Sequence, residues 1–248
     1  MSNNTPENLH HEANAKAYIT DYWRERATGF TKLRQQELHS EKYQLWQQEI
    51  ARHLPKGKAL NILDVGCGAG FFSVLLAKAG HKVTGIDLTP AMIEQAQLLT
   101  AEQGCSANFL VMDAEKLTLA DNSFDAVIAR NVTWNLPHPD AAYAEWLRVL
   151  HKDGLLLNYD AEYARDHHRQ LPEHNAHASV SAELLERCHH IYHMLDVSLY
   201  ERPAWDEALL KHLGAHTVSI DKTVGSRIYA AEDDFYSPAP MFGVFATK

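Results

Sequence analysis

The sequence has few cysteines: Cys67, Cys105 and Cys188 stand far apart in a chain of 248 residues. Three scattered thiols suit neither a disulfide framework nor a thiolate metal site, so they favour a reducing, cytoplasmic location. The polar stretch from Met1 to Lys16 lacks the apolar centre of a signal peptide. No stretch approaches the apolar length of a membrane span, so we expect no membrane partner.

Basic residues are also in deficit, with 23 Lys and Arg against 32 Asp and Glu and a formal net charge of −9. Phosphate groups are bound by a basic surface, so this balance disfavours a nucleic-acid partner. The rest of the composition, 46% hydrophobic and 22% charged, is that of an ordinary globular chain. Its length suits one large domain or a core with an appendage.

The most informative stretch is a glycine-rich turn between two apolar segments. Residues 60–65 form a short apolar run that predicts a strand buried on both faces, and residues 71–79 predict a helix. Three glycines alternate between them, at Gly66, Gly68 and Gly70. Such a turn lets the backbone approach a ligand, with free N–H groups pointing towards it. Asp64 would repel a pyrophosphate there, but its carboxylate can accept hydrogen bonds or pair with a cation.

The glycine spacing separates two kinds of cofactor site. A dinucleotide fingerprint requires its third glycine where Phe71 stands, which disfavours a nicotinamide dehydrogenase. The stretch instead resembles the first motif of small-molecule class I S-adenosylmethionine-dependent methyltransferases, which is similar to Asp-x-Gly-x-Gly-x-Gly. The resemblance covers residues 60–160 closely and 204–248 in outline. It implies S-adenosyl-L-methionine as cofactor, with its methionine part and ribose held by Asp64, Gly66, Cys67 and Gly68.

Two later strands end in carboxylates. The strand at 82–87 ends at Asp87, where a carboxylate can accept hydrogen bonds from ribose hydroxyls. Dehydrogenases share this feature, so it indicates a ribose without choosing the cofactor. The strand at 107–112 ends before Asp113. The resemblance implies that Asp113 accepts a hydrogen bond from the adenine amino group, and that the backbone N–H of Ala114 donates to the ring. It also implies that Leu88 and Met92 pack against the adenine.

The loop at 130–137 follows the fourth strand and leaves the sheet edge at which ligands of open α/β sheets bind. We expect Arg130 to contact the cofactor, and Asn131 and Trp134 to contact the acceptor. The loop lacks the Asn/Asp-Pro-Pro-aromatic signature of amino-methylating DNA enzymes, which disfavours a nucleobase acceptor.

Candidate catalytic residues are expected at the carboxyl ends of the fourth and fifth strands. They are Asn131, Tyr159 and Asp160, as bases or positioning groups. Methyl transfer is an in-line displacement, and it needs a base only if the acceptor must lose a proton. Tyr159 is also a candidate acceptor contact.

Two helices are predicted ahead of the core, one carrying Tyr18 and Tyr22 and a second at about residues 35–53, with residues 23–34 between them. In small-molecule members of the family, N-terminal helices lie over the cofactor. The resemblance therefore implies that Tyr18, Tyr22 and Trp23 cover the bound cofactor. The alternative is that these amphipathic helices only pack against the sheet.

Residues 162–202 depart from the common core and are rich in histidine. The histidines are His167, His168, His174, His177, His189, His190 and His193. His189 and His193, four residues apart on a helix, have a spacing that can bind a divalent metal. No Glu-x-x-His or His-Glu-x-x-His pattern accompanies them, so we expect no metal and assign His193 to the acceptor pocket.

These patterns predict an α/β fold, with a doubly wound, Rossmann-like, mostly parallel sheet of seven strands and an auxiliary helical cap. The last strand is expected to be antiparallel. The predicted domains are an N-terminal helical lid (1–56), a cofactor-binding core (57–161 and 203–248) and a helical insertion forming a substrate cap (162–202). The predicted activity is methyl transfer to a small-molecule acceptor. The alternatives are a methyltransferase acting on RNA or protein and a non-catalytic S-adenosylmethionine-binding protein.

Overall fold

The computed structural model describes residues 6–166, 173, 175–237 and 239–248, without the side chains of residues 6–13 and 166. His167, His168 and His174 of the predicted insertion lie outside the described residues. The described strands are β1 (Asn61–Val65), β2 (Lys82–Asp87), β3 (Asn108–Val111), β4 (Phe124–Arg130), β5 (Leu150–Ala161), β6 (Thr217–Asp221) and β7 (Met241–Thr247). They form one seven-stranded sheet in the order β3-β2-β1-β4-β5-β7-β6.

The sheet has the predicted mixture of strand directions. The pairs among β1 to β5 are parallel, whereas β7 runs antiparallel to both β5 and β6. The strand order reverses direction between β1 and β4, and ligands of open α/β sheets bind at such a switch point. The predicted fold class is thereby confirmed.

Helices cover both faces of the sheet. The described α-helices are α1 (Pro6–Leu38), α2 (Glu41–Ala51), α3 (Phe71–Lys78), α4 (Pro90–Glu102), α5 (Pro139–Val149), α6 (Tyr163–Asp166), α7 (Ala182–Met194), α8 (Ala204–His212) and α9 (Val224–Ile228). Neighbouring residues of β1 show the two buried faces: Ile62 packs with α2 and α3, while Leu63 packs with α5. Because successive strand residues point to opposite faces, a strand covered on both sides is a continuous apolar run.

Helix α1 is continuous where the sequence suggested two helices, so the predicted connection at 23–34 is wrong. The segment is helical throughout, and its residues Ala27 and Arg34 are buried. The N-terminal part of α1 buries Ile19 and Tyr22 against α7. One long helix therefore runs from the cap into the core.

Ion pairs hold α1 on two sides. The Lys16 Nζ atom lies 2.7 Å from Asp113 Oδ2, just past the end of β3. On the other side, Arg187 of α7 pairs with Asp21 at 2.9 Å and also with Glu25. The division into lid, core and insertion stays a prediction. In the described part of the chain, no helix is both long and apolar enough to cross a membrane.

Candidate functional site

A cavity of about 220 Å³ lies at the carboxyl edge of the sheet, between the glycine turn and helices α1 and α7. Most of the residues predicted from the sequence line it. They are Tyr22, Trp23, Asp64, Gly66, Cys67, Gly68, Asp87, Leu88, Met92, Asp113, Ala114, Arg130, Asn131 and Trp134. The structure thus brings together the predicted cofactor residues and two predicted acceptor residues, whose roles stay predictions.

Close packing fixes the glycine turn. Gly66 has a φ of +59°, and a Cβ atom there would lie 2.5 Å from Val132 Cγ2. Gly68 has a φ of +51°, and a Cβ atom there would lie 3.2 Å from the ring of Phe30 on α1. A side chain at either position would be strained and would meet the wall of the cavity, so the turn requires glycine.

Asp64 lies beneath this turn and is almost fully buried, with 2% of its surface exposed. The Ser73 hydroxyl donates a hydrogen bond of 2.6 Å to Asp64 Oδ2. Burial raises the pKa of Asp64 to about 7, and the charge of Asp87 adds to the effect of burial. A cationic group bound beside Asp64 would favour the ionised carboxylate.

Asp87, at the end of β2, holds the turn in place. Its Oδ2 accepts a hydrogen bond from the Gly68 backbone N–H at 3.0 Å, and its Oδ1 accepts one from the Thr89 N–H at 2.8 Å. Each carboxylate oxygen has a further lone pair for a ligand hydroxyl. Asp87 can therefore position the backbone and accept from a ribose at the same time.

Asp113 is already engaged by α1. Its Oδ1 accepts a hydrogen bond from the Glu115 N–H at 2.9 Å, while Lys16 contacts its Oδ2 and lies 2.5 Å from Glu115 Oε2. Burial lowers the pKa of Lys16, but the hydrogen bonds that its ammonium group donates to the two carboxylates outweigh burial and raise the pKa. Sequence reasoning missed Lys16, because a lysine on the polar flank of a helix carries no distinguishing pattern.

The loop after β4 forms the opposite wall. Asn131 adopts a φ of +58°, and its Oδ1 accepts a hydrogen bond from the Tyr163 hydroxyl at 2.8 Å. The Trp134 indole donates to the Asn131 carbonyl at 2.9 Å and packs against Tyr192 of α7. Loop and cap are therefore joined through the two residues predicted to contact the acceptor.

The predicted roles of Tyr159 in catalysis and acceptor binding are wrong. Its side chain packs between Trp46 and Phe245, is 0% exposed and does not line the cavity. Alternate residues of a strand point to opposite faces. Tyr159 is therefore a core residue at the predicted strand end.

The predicted role of Asp160 as a base is also wrong. Its Oδ2 lies 3.1 Å from Arg202 Nη1 and accepts hydrogen bonds from the Trp134 N–H and the Thr133 hydroxyl. Arg202 also pairs with Asp206, at 2.7 Å. All of these side chains are buried, so Asp160 anchors the loop after β4 and is enclosed away from the acceptor.

Two further predicted contacts lie outside the cavity wall. Tyr18 packs its ring on His190, with centroids 5.1 Å apart, and under Arg187 of α7, so it joins α1 to the cap. His193 is exposed near the end of α7, so its assignment to the acceptor pocket is wrong. Within the described ranges, no group of three or more His, Cys, Asp or Glu residues could hold a metal ion.

Two arginines of α1 also line the cavity, Arg26 and Arg34, and neither was predicted from the sequence. They occur in the stretch interpreted as a connection. Within a helix, residues that recur every three to four positions share one face. This spacing holds for Arg26, Phe30, Arg34 and Glu37. That periodicity was the available signal.

Comparisons with known proteins agree with this geometry. Residues 63–158 match a family model described as a methyltransferase domain. The chain is 36% identical over 138 residues to 2-methyl-6-phytyl-1,4-hydroquinone methyltransferase of Synechocystis sp.. This match covers 55% of this chain and 42% of that protein. It is 35% identical over 108 residues to ubiquinone biosynthesis O-methyltransferase of Xanthomonas axonopodis pv. citri, covering 43% of this chain and 44% of the relative.

The chain thus spans less than half the length of these curated relatives. A solved structure of an S-adenosylmethionine-dependent methyltransferase from Aquifex aeolicus superposes with a TM-score of 0.56 at 19% identity, over 81% of this chain and 88% of that one. The fold and the glycine turn agree with the matched domain, and all three are similar to those of class I S-adenosylmethionine-dependent methyltransferases. Residues 63–158 are its methyltransferase domain, and S-adenosyl-L-methionine is its cofactor.

Proposed function

We propose that this protein transfers the methyl group of S-adenosylmethionine to a small-molecule acceptor enclosed in the cavity. The observation that carries the proposal is the position of α1 and α7, which cover the carboxyl edge of the sheet and leave a cavity of about 220 Å³. A macromolecular acceptor would have to displace these helices. The net charge of −9 argues in the same direction against RNA.

The residues on the sheet side fit the cofactor. The backbone at Gly66 and Gly68 would hold the methionine part of the cofactor. Buried Asp64 would pair with the ammonium group of that methionine part. Asp87 would accept from the ribose and Asp113 from the adenine. When bound, the cofactor supplies a methyl group that its sulfonium makes electrophilic.

The chain's own task is then to align the acceptor and exclude water. Trp134 and Tyr192 form an aromatic wall joined to α7, while Asn131 is fixed by its bond to Tyr163. Such fixed side chains hold an acceptor in one orientation. Helix α1 closes the cavity above the glycine turn, where Phe30 approaches Gly68.

The test combines binding with transfer. Calorimetry should detect binding of S-adenosylhomocysteine, and NAD should not bind. The protein should then move a labelled methyl group from the donor into the low-mass fraction of a cell extract. A Gly66→Ala variant is the control, because its Cβ would clash with Val132 and so distort the turn.

Each alternative has its own outcome. Label appearing only in RNA or protein would contradict the small-molecule proposal and support a macromolecular acceptor. Binding of S-adenosylhomocysteine with no transfer into any fraction would support a non-catalytic binding protein. Binding of NAD in place of S-adenosylhomocysteine would contradict the cofactor assignment.

A further inference from the structure

Arg26 is a buried cation on the inner face of α1. Only 9% of its surface is exposed, and its guanidinium lines the cavity. Its Nε atom is buried with no hydrogen-bond partner, and among the described side chains no carboxylate forms an ion pair with it. A buried guanidinium without a counter-charge is costly, so such a group is normally paired when the site is filled.

The neighbouring charges do not balance it. Arg34 and Arg130 also line the cavity, and both pair with the single carboxylate of Glu37, each at 2.7 Å. Arg34 and Arg130 thus share one carboxylate, whereas Arg26 pairs with none among the described side chains. The charges of Arg26 and Arg34 both act on His177, so this end of the cavity is cationic although the whole chain is acidic.

The pKa of His177 responds to the positive charge at this end of the cavity. Its imidazole lines the cavity and is half-buried, and its Nδ1 atom has no hydrogen-bond partner. Burial, with a smaller contribution from the charge of Arg26, lowers the pKa of His177 to about 4. His177 is therefore neutral at neutral pH and does not add to the cationic excess, but it offers a neutral hydrogen-bonding group beside Arg26.

The surroundings of Arg26 separate it from the cofactor wall. Its charge acts on the Tyr22 phenol and on the Cys188 thiol of α7, both of which belong to the cap side of the cavity. Trp134 and Tyr192 provide flat aromatic surfaces on this same side. The wall that would hold the cofactor carries the carboxylates of Asp64 and Asp87 instead.

We propose that the methyl acceptor is a small organic acid with a planar apolar body, whose carboxylate is bound by Arg26 in the cationic end of the cavity. This inference rests on the proposed function, since it deepens the identity of the acceptor. A guanidinium binds a carboxylate through two parallel N–H donors, which adds orientation to charge. Arg26 would then determine specificity by positioning the acceptor's acidic end.

The experiment uses benzoate and its neutral isostere benzamide as probes. In protein saturated with S-adenosylhomocysteine, calorimetry should give a Kd for benzoate at least about tenfold lower than for benzamide. Arg26→Gln should remove that preference, while Arg26→Lys should keep part of it. The matched control is Arg24→Gln, two residues away on the same helix, where the exposed arginine pairs with Asp21. This control should keep the full preference.

Three results would overturn the proposal. Equal affinity for benzoate and benzamide, or binding of neither, would mean that the cavity selects no planar carboxylate. An Arg26→Gln variant that folds but weakens S-adenosylhomocysteine instead would assign Arg26 to the cofactor's own carboxylate. If S-adenosylhomocysteine fails to bind the wild-type protein, the proposed function fails. The benzoate and benzamide comparison in the ligand-free protein then still decides whether the anion site exists.

Discussion

Asp64 gives the protein a pH-dependent contribution to stability at the scale of one residue. Burial raises its pKa to about 7, from the value of about 3.9 expected in an unfolded chain. Between those values the folded state binds a proton that the unfolded state has released. The contribution of Asp64 is therefore full below about pH 4 and is lost as the pH rises through about 7.

We expect Asp64→Asn, which is neutral at every pH, to gain stability relative to the wild type between about pH 5 and 8, by up to roughly 4 kcal/mol. Urea unfolding of the ligand-free proteins at several pH values measures the difference. Asp125→Asn is the control: hydrogen bonds from Asn61 and Lys58 lower the pKa of Asp125, so its contribution is lost only in stronger acid. Parallel stability curves for the wild type and Asp64→Asn would refute the buried-acid interpretation.

Arg202 is the second residue for which a large effect is expected. Its side chain is 2% exposed and pairs with Asp160 and Asp206, both 0% exposed. Replacing it with methionine leaves two buried carboxylates without their cation, so Arg202→Met should lose about 3–5 kcal/mol of unfolding free energy.

The matched control for Arg202 is Arg165→Met. Arg165 is 47% exposed and pairs with Glu162, and such a surface pair contributes at most about 1 kcal/mol. Denaturant midpoints of the two variants give the comparison. Similar small losses in both would show that Asp160 and Asp206 do not depend on Arg202, and would reopen the question of Asp160 as a reactive group.

At the scale of elements, the parts predicted from the sequence are those fixed by local patterns. Strand β2 has the predicted bounds, and the turn between β1 and α3 required glycine for the steric reason now visible at Gly66. Strand β5 was also predicted, but the direction of its side chains was not. Both faces of this strand are buried, so alternation of apolar and polar residues could not show that neither Tyr159 nor Asp160 faces the ligand.

Helix α1 was harder to predict, because its inner face carries charge. Residues 23–34 contain arginines that resemble a solvated connection, yet Arg26 and Arg34 are buried. Arg34 is buried with its partner Glu37, and both arginines face a cavity formed by distant elements that no local pattern encodes. The missed part of the site, including Lys16, therefore belongs to this helix.

Gly29 is a residue of low helix propensity within α1. It lies between the part of the helix that packs on α7 and the part that enters the core, and a Cβ atom there would meet nothing within 4 Å. Gly29→Ala should therefore stabilise the protein by about 0.5–1 kcal/mol, since alanine restricts the unfolded chain and favours helix. If α1 bends here to admit ligand, the variant should also bind S-adenosylhomocysteine more slowly.

Stopped-flow tryptophan fluorescence measures this association, since Trp23 and Trp134 line the cavity. Thr28→Ala, at the neighbouring exposed position, is the matched control, because it also raises helix propensity but leaves the glycine in place. This control should gain some stability and keep the wild-type association rate. An unchanged association rate in the more stable Gly29→Ala variant would mean that α1 does not bend at this glycine.

At the scale of the whole molecule, cofactor and acceptor require more room than the closed cavity has. Its volume is about 220 Å³, below the roughly 300–1,000 Å³ of pockets that hold drug-sized ligands. Helix α1 forms much of the wall opposite the sheet, and Lys16 ties it to the core. Opening must break the contacts of Lys16 with Asp113 and Glu115, which tie this helix to the core.

We therefore expect Lys16→Met to open the ligand-free molecule more often, because both carboxylates lose the cation that ties α1 to the core. Hydrogen exchange in residues 14–28 should speed up several-fold in this variant, and binding of S-adenosylhomocysteine should slow it again by filling the cavity beneath the helix. Lys32→Met, at an exposed position of the same helix, is the matched control and should exchange like the wild type. If Lys16→Met leaves exchange unchanged, and S-adenosylhomocysteine protects none of these residues in the wild type, then α1 is fixed packing. The enclosed cavity would then need another route for its ligands.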